Sequence, residues 1–182
     1  KIIEVLGNVD MAGIDMLSLI KEYDLPYEFP EEVLKEARSI EKTIAKEELK
    51  NRIDLRNKTI FTIDGEDAKD LDDAVCVEKN SSGTYNLIVS IADVSHYVKE
   101  GSNLDKEAIL RGTSIYMMDR VIPMLPKELS NGICSLNAKQ DRLAISVLME
   151  IDKNGKIISS DIKKSVINVT ERMSYTDVYS II

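Results

Sequence analysis

Hydrophobic and polar residues alternate over Lys1-Ile2-Ile3-Glu4-Val5-Leu6-Gly7, recur at helical spacing in the next forty or so positions, and alternate again from Lys58 onward. The pattern predicts a strand, then helices, then a sheet. The first helix is expected around Asp15 to Tyr23, closed before Pro26, and Pro30 opens a second as a favoured first-turn residue. Val33, Ala37, Ile40 and Ile44 form the apolar stripe of that second helix. Strands are predicted over Thr59 to Ile63, Ala74 to Glu78 and Tyr85 to Ala92, with Asn80-Ser81-Ser82-Gly83 as a hairpin connection. The strand-like run from Ile88 reaches Val98, which puts His96 in a strand. Ser102 or Asn103 can cap a helix from Leu104 to about Arg111, and the prolines of Ile122-Pro123-Met124-Leu125-Pro126 demand an extended loop. Asn154-Gly155 is the strongest hairpin signal, between Arg142–Ile151 and Lys156–Ile167. A last helix is expected to begin near Ser174, Tyr175 or Thr176. No internal repeat interrupts this order, and the expected class is α+β: an antiparallel-rich mixed sheet with flanking helices.

Between the first two predicted strands, Thr62 to Val75 reads T-I-D-G-E-D-A-K-D-L-D-D-A-V, crowding Asp64, Glu66, Asp67, Asp70, Asp72 and Asp73 into one turn-rich stretch. Carboxylates this close raise one another's pKa and cost stability unless a cation or several hydrogen-bond donors offset them. Oxygen ligands without a neighbouring Cys or His point to a hard cation and not to zinc. An EF-hand is excluded: aligned from Asp64, it puts Lys69 where the turn glycine belongs and Val75 where the bidentate glutamate belongs. Magnesium remains, with a few protein carboxylates, retained waters and a substrate phosphate in its shell; two such ions roughly 3.5 to 4 Å apart serve in-line phosphoryl displacement. On spacing alone, a solvated acidic loop is the alternative.

The same run, preceded by Arg52-Ile53-Asp54-Leu55-Arg56, resembles the signature of the ribonuclease II superfamily, whose shared domain is called RNB. Further matching segments follow in order: Ile91 to Val98, Arg111 to Tyr116, Asp119 to Pro126, Ser130 to Leu136 and Glu171 to Tyr175. Within the superfamily the wording is most similar to the bacterial ribonuclease R branch. The resemblance implies a hydrolytic exoribonuclease that works from the 3′ end of single-stranded RNA and releases nucleoside 5′-monophosphates. It implies magnesium, with manganese as an alternative, held by Asp64, Asp70, Asp72 and Asp73, with Glu66 and Asp67 as weaker candidates. Asp72 and Asp70 are then the catalytic carboxylates, Asp72 beside the scissile phosphate, and Tyr116 lies near the RNA 3′ end, where an aromatic ring stacks on any base. Without the resemblance, Tyr116 reads equally as a strand residue packed in a core. The lone His96 is expected to be structural; Arg120 and Arg142 read as ion-pair or surface residues, and Asn131, Cys134 and Ser135 line up, by the resemblance, with a family loop near the active centre, without a role derivable from sequence.

Composition adds one tension. The net charge of −8 and pI near 4.8 oppose the basic footprint of an RNA binder, and part of that acidity belongs to the proposed metal site. Neither an unbroken apolar span nor a leader-like N-terminus is present, so a soluble cytoplasmic protein is expected, with no membrane partner. Cys76 and Cys134, without C-x-x-C spacing, suit free thiols. The expected organisation is the end of a cold-shock or OB-type domain over residues 1–25, a helical linker over 26–50, and the N-terminal part of an RNB domain over 51–182. By the family pattern, a further arginine, a glutamate and aromatic clamps are expected beyond Ile182, so the chain alone is expected to be inactive or nearly so. A non-catalytic RNB-like scaffold or acidic metal-binding module is the alternative function.

Overall fold

The computed structural model describes residues 2, 4–8 and 10–182. In chain order the elements are α1 (Ile14–Glu22), α2 (Glu31–Ser39), α3 (Lys46–Leu49), β1 (Ile53–Asp54), β2 (Phe61–Asp64), β3 (Asp73–Lys79), β4 (Tyr85–Ala92), α4 (Val94–Tyr97) and α5 (Asn103–Arg111). They continue with β5 (Ile115–Tyr116), β6 (Val121–Ile122), a π-helical turn (Glu128–Ile133), β7 (Asp141–Ile151), β8 (Ile157–Asn168), β9 (Glu171–Ser174) and α6 (Tyr175–Ile181). Two compact units form, one from residues 1–39 with 99–127 and the other from 40–98 with 128–182.

In the first unit α2 packs on α5, and the Glu36 carboxylate accepts the Asn103 backbone N–H at 2.9 Å. Val33 and Ala37 supply the buried stripe of α2, but the helix stops at Ser39, whose hydroxyl turns back to the Glu36 carbonyl at 2.7 Å. Ile40 and Ile44 therefore lie beyond it, which corrects the longer stripe expected from their spacing. Arg111 is the unit's internal tie. Its guanidinium lies 3.6 Å from the Phe29 ring centroid and donates to Glu107, to the Pro123 carbonyl and to the Glu28 carbonyl. The run expected as an extended loop begins instead in a strand: Ile122 pairs with Ile115, and Pro123, which lacks an N–H, ends the ribbon. Of the strand expected over residues 1–7, Lys1 and Ile3 lie outside the described residues, and the remainder has no strand pairing.

The second unit is a seven-stranded mixed sheet in the order β1-β8-β7-β4-β3-β2-β9. Its interior pairs are antiparallel; β1 beside β8 and β2 beside β9 are parallel. The Asn154-Gly155 turn forms as expected, with Gly155 at φ 82°, and joins β7 to β8. One face buries the core: Leu55, Ile60, Leu71, Ala74, Cys76, Ile88, Ala92, Leu136, Ala144, Ile167 and Val169. The strand expected to reach Val98 ends at Ala92, so His96 stands in α4. The cause is Asp93, whose carboxylate is drawn into the interior by Arg52 at 2.6 Å and by the Ser95 hydroxyl at 2.9 Å, which turns the chain.

Ser174 caps α6 reciprocally: its hydroxyl accepts the Asp177 N–H at 3.0 Å, and the Asp177 carboxylate accepts the Ser174 N–H at 2.8 Å. Ser174→Ala is expected to cost the helix about 1 kcal/mol. Hydrogen exchange at the Asp177 amide checks this and should accelerate about fivefold; an unchanged rate would remove the cap from the account. No helix among the described residues is long and apolar enough to cross a membrane.

Candidate metal centre on an acidic loop

The acidic stretch connects two antiparallel neighbours, with Asp64 closing β2, Asp73 opening β3, and Asp70 and Asp72 between them. Leu71 sits between those last two and is 1% exposed, driven into the core cluster with Leu136. Burial of a leucine is worth about 1.5–3 kcal/mol, so this one side chain pins the loop to the sheet. The backbone is tied as well: Leu71 N–H donates to the Ser135 hydroxyl at 3.1 Å, and Leu71 C=O accepts from Leu136 N–H at 2.8 Å. On the outer side, Arg172 of β9 donates to the Gly65 and Glu66 carbonyls at 3.3 and 2.7 Å.

Electrostatics join the four aspartates that the motif singled out. The Asp64 carboxyl is pushed above the ordinary range by burial, then by the charge of Asp73 and more weakly of Asp70, with Arg172 opposing. Asp72 is raised by partial desolvation, then by Asp70, Asp73 and Asp64. Solvent reaches the Asp72 side chain, so the like charges are the firmer reason for its direction. The Asp64 Oδ2 atom is buried with no hydrogen-bond partner among the described residues. A carboxylate oxygen in that position is expensive to keep ionised unless a cation neutralises it.

These features fit a hard divalent cation by donor chemistry. The side chains do not converge as a coordination shell: among the described residues no group of three or more Asp, Glu, His or Cys is placed to hold a metal ion. Glu66 and Asp67 are exposed, and Glu66 borders an open depression of about 300 Å³ with Arg172, Ser174 and Asp177.

Residues 52–182 match the family model described as the RNB domain. The chain belongs to the RNB family. Residues 1–30 match the cold shock domain model. Among RNB relatives, Thermotoga maritima ribonuclease R is 57% identical over 96% of this chain. The chain spans 25% of that relative's length. Mycoplasma genitalium RNase R, solved in complex with double-stranded RNA, superposes with a TM-score of 0.91 at 34% identity, covering 98% of this chain and 32% of that one. Its complex with ribose-methylated single-stranded RNA gives 0.89. Yeast Ssd1, a pseudonuclease, shares the fold with a TM-score of 0.79 at 20% identity, covering 96% of this chain and 22% of Ssd1.

The other RNB motif residues separate into scaffold and surface. Tyr116 lies in the β5–β6 ribbon with 68% of its surface exposed, so it is not a core tyrosine. His96 stands 3.6 Å from Glu48 and edge-on to Tyr97. Arg120 pairs with Asp119 at 2.7 Å and lies over the Tyr27 ring. Arg142 donates to the Ser135 and Gly132 carbonyls and so braces the segment before β7. Within that segment Asn131 accepts the Ser130 hydroxyl at 2.8 Å. The Cys134 thiol is buried and pushed up to about 12 by burial, then by the Asp72 charge, which makes it an inert thiol. Ser135 and Arg172, unassigned by sequence reasoning, hold the acidic loop by side-chain hydrogen bonds, and only their place in the motif series hinted at it.

Proposed function

We propose that the protein containing this chain is a hydrolytic exoribonuclease that removes nucleoside 5′-monophosphates from the 3′ end of single-stranded RNA. The observation that carries this reading is the set of four mutually repelling aspartates on one pinned loop, with a buried carboxylate oxygen lacking a donor. Asp64, Asp70, Asp72 and Asp73 would hold magnesium, or manganese in its place. When bound, a divalent ion supplies charge neutralisation for the phosphodiester and lowers the pKa of an attacking water. Asp72 faces solvent and is the carboxylate we place nearest the scissile phosphate. Asp64, with its buried oxygen, serves as the fixed anchor. The exposed Tyr116 ring is suited to stack on the terminal base, a contact indifferent to base identity.

The division into the end of a cold-shock domain (residues 1–25), a linker (26–50) and the start of an RNB domain (51–182) accompanies this reading. Two buried, unpaired-as-disulfide cysteines fit a reducing compartment, which supports a cytoplasmic location. The net charge of −8 means that RNA affinity has to come from elsewhere in the protein or from the bound cation. Fold alone does not decide between enzyme and scaffold, since a pseudonuclease shares it; the retained carboxylates favour the enzyme.

The test is release of nucleoside 5′-monophosphates from single-stranded RNA by the full-length protein, with and without Mg²⁺ or Mn²⁺. Metal-dependent release is expected, and little or none from the 182-residue chain alone. Metal-linked stability without product from the full-length protein would favour the scaffold.

A further inference from the structure

We propose that Ser135 is a positioning residue for the acidic loop, setting the backbone of Asp70 so that it and Asp72 can share a cation. This inference rests on the metal reading of the loop given above.

The Ser135 hydroxyl makes two bonds, and both go to the loop: it accepts Leu71 N–H at 3.1 Å and donates to Lys69 C=O at 2.9 Å. Lys69 C=O belongs to the peptide plane before Asp70, and Leu71 N–H to the plane after it. One hydroxyl therefore fixes both planes about the Asp70 Cα, and with them both soft dihedrals of that residue. The next planes are tied by main chain, Leu71 C=O to Leu136 N–H at 2.8 Å and Asp72 C=O to Ala92 N–H at 2.9 Å. Four consecutive peptide groups, from 69–70 to 72–73, thus have partners outside the loop. Only the bond set of Ser135 runs through a side chain, so it is the one a substitution can remove.

Ser135 is itself rigidly placed. It is 0% exposed, its carbonyl accepts Arg142 Nε at 2.8 Å, and Leu136 beside it is buried in the core. Removing the hydroxyl strands Leu71 N–H and Lys69 C=O without their partner and lets the Asp70 backbone drift, while no carboxylate is lost. Residues that orient ligands in this indirect way typically change metal affinity by about 10- to 100-fold.

The experiment uses the full-length protein and Mn²⁺ alone as probe, with the free ion counted by its paramagnetic resonance signal. Ser146→Ala is the control, since Ser146 is an equally buried hydroxyl that bonds Ser90 and Ser165, each at 2.7 Å, and not the loop. Ser135→Ala is expected to weaken Mn²⁺ binding about 10- to 100-fold and to speed hydrogen exchange at the Leu71 amide, with Ser146→Ala changing neither. Should Ser135→Ala fail to fold, Ser135→Cys fills the same space with a weaker partner and should show a smaller loss in the same two readouts. If the wild type takes up Mn²⁺ and the Ser135 variants bind it as tightly as Ser146→Ala, the positioning role is overturned and the metal reading stands. If the wild type takes up none, the metal reading itself falls, and the role of Ser135 with it.

Discussion

Asp72→Asn in the full-length protein is expected to lose RNA hydrolysis by at least about 10²- to 10³-fold while affinity for single-stranded RNA stays near that of the wild type. The substitution keeps the size and shape of the side chain and removes one charge. If Asp72 serves only solubility, turnover should be unaffected; if it orients a cation against the phosphodiester, the loss falls on turnover and not on RNA binding. Stability supplies a second readout. The Asp72 pKa is raised in the folded state by desolvation and by Asp70, Asp73 and Asp64. For an acid with a raised folded pKa, the unfolded state releases its proton first. Stability therefore falls as pH rises from the unfolded value of about 3.9 through the folded one. At neutral pH without metal, Asp72 works against the fold, so Asp72→Asn should melt at the same temperature as the wild type or higher in chelator. A fully active variant would remove Asp72 from the chemistry.

The parts of the molecule legible in advance were those with dense local signals. Six acidic residues between Thr62 and Val75, the Asn154-Gly155 turn, and Ser102 before α5 each announce themselves within a few positions, and the structure has β2, β3, the β7–β8 hairpin and a capped α5 there. The missed elements depend on distant partners. Residues 53–54 and 171–174 are too short to show a period, and become β1 and β9 only by pairing in parallel with Ser165–Val166 and with Phe61–Asp64. The apolar alternation after Ala92 pointed to more strand, and the buried Asp93 overrode it. In the site, the crowding of carboxylates was readable because it is a matter of charge. Their supports were not, because a serine sixty-four residues from Leu71 and an arginine on an edge strand have no local pattern. The same limit explains Arg111, which sequence placed only at the start of a matching segment and which the fold uses to tie Phe29, Glu28 and Pro123 together.

Asp93→Ala is expected to cost the second unit up to about 3–5 kcal/mol in urea unfolding, because the buried Arg52 guanidinium loses its fully buried counter-charge and keeps only the partly exposed Glu48. Both side chains of the Arg52–Asp93 pair are 0% exposed and 2.6 Å apart, and Arg52 also reaches Glu48 at 2.8 Å. Burial pushes the Asp93 carboxyl up, but the bonds from Arg52 and Ser95 outweigh it and the net direction is down. A depressed folded pKa means that this stabilisation is present above the ordinary aspartate value of about 3.9 and is lost as pH falls through the lower, folded value. The double replacement Arg52→Met with Asp93→Leu should regain most of the loss at neutral pH, since neither fully buried charge remains and the Glu48 carboxylate left behind is partly exposed. It should also lack the part of acid destabilisation that Asp93 causes. Hydrolysis by that double variant then tells what the pair is for. Asp93 follows Ala92, whose N–H holds the Asp72 carbonyl at 2.9 Å. A stable double variant with weakened turnover would mean that the ion pair aims this corner of the sheet at the acidic loop, and one with full turnover would mean that it serves folding alone.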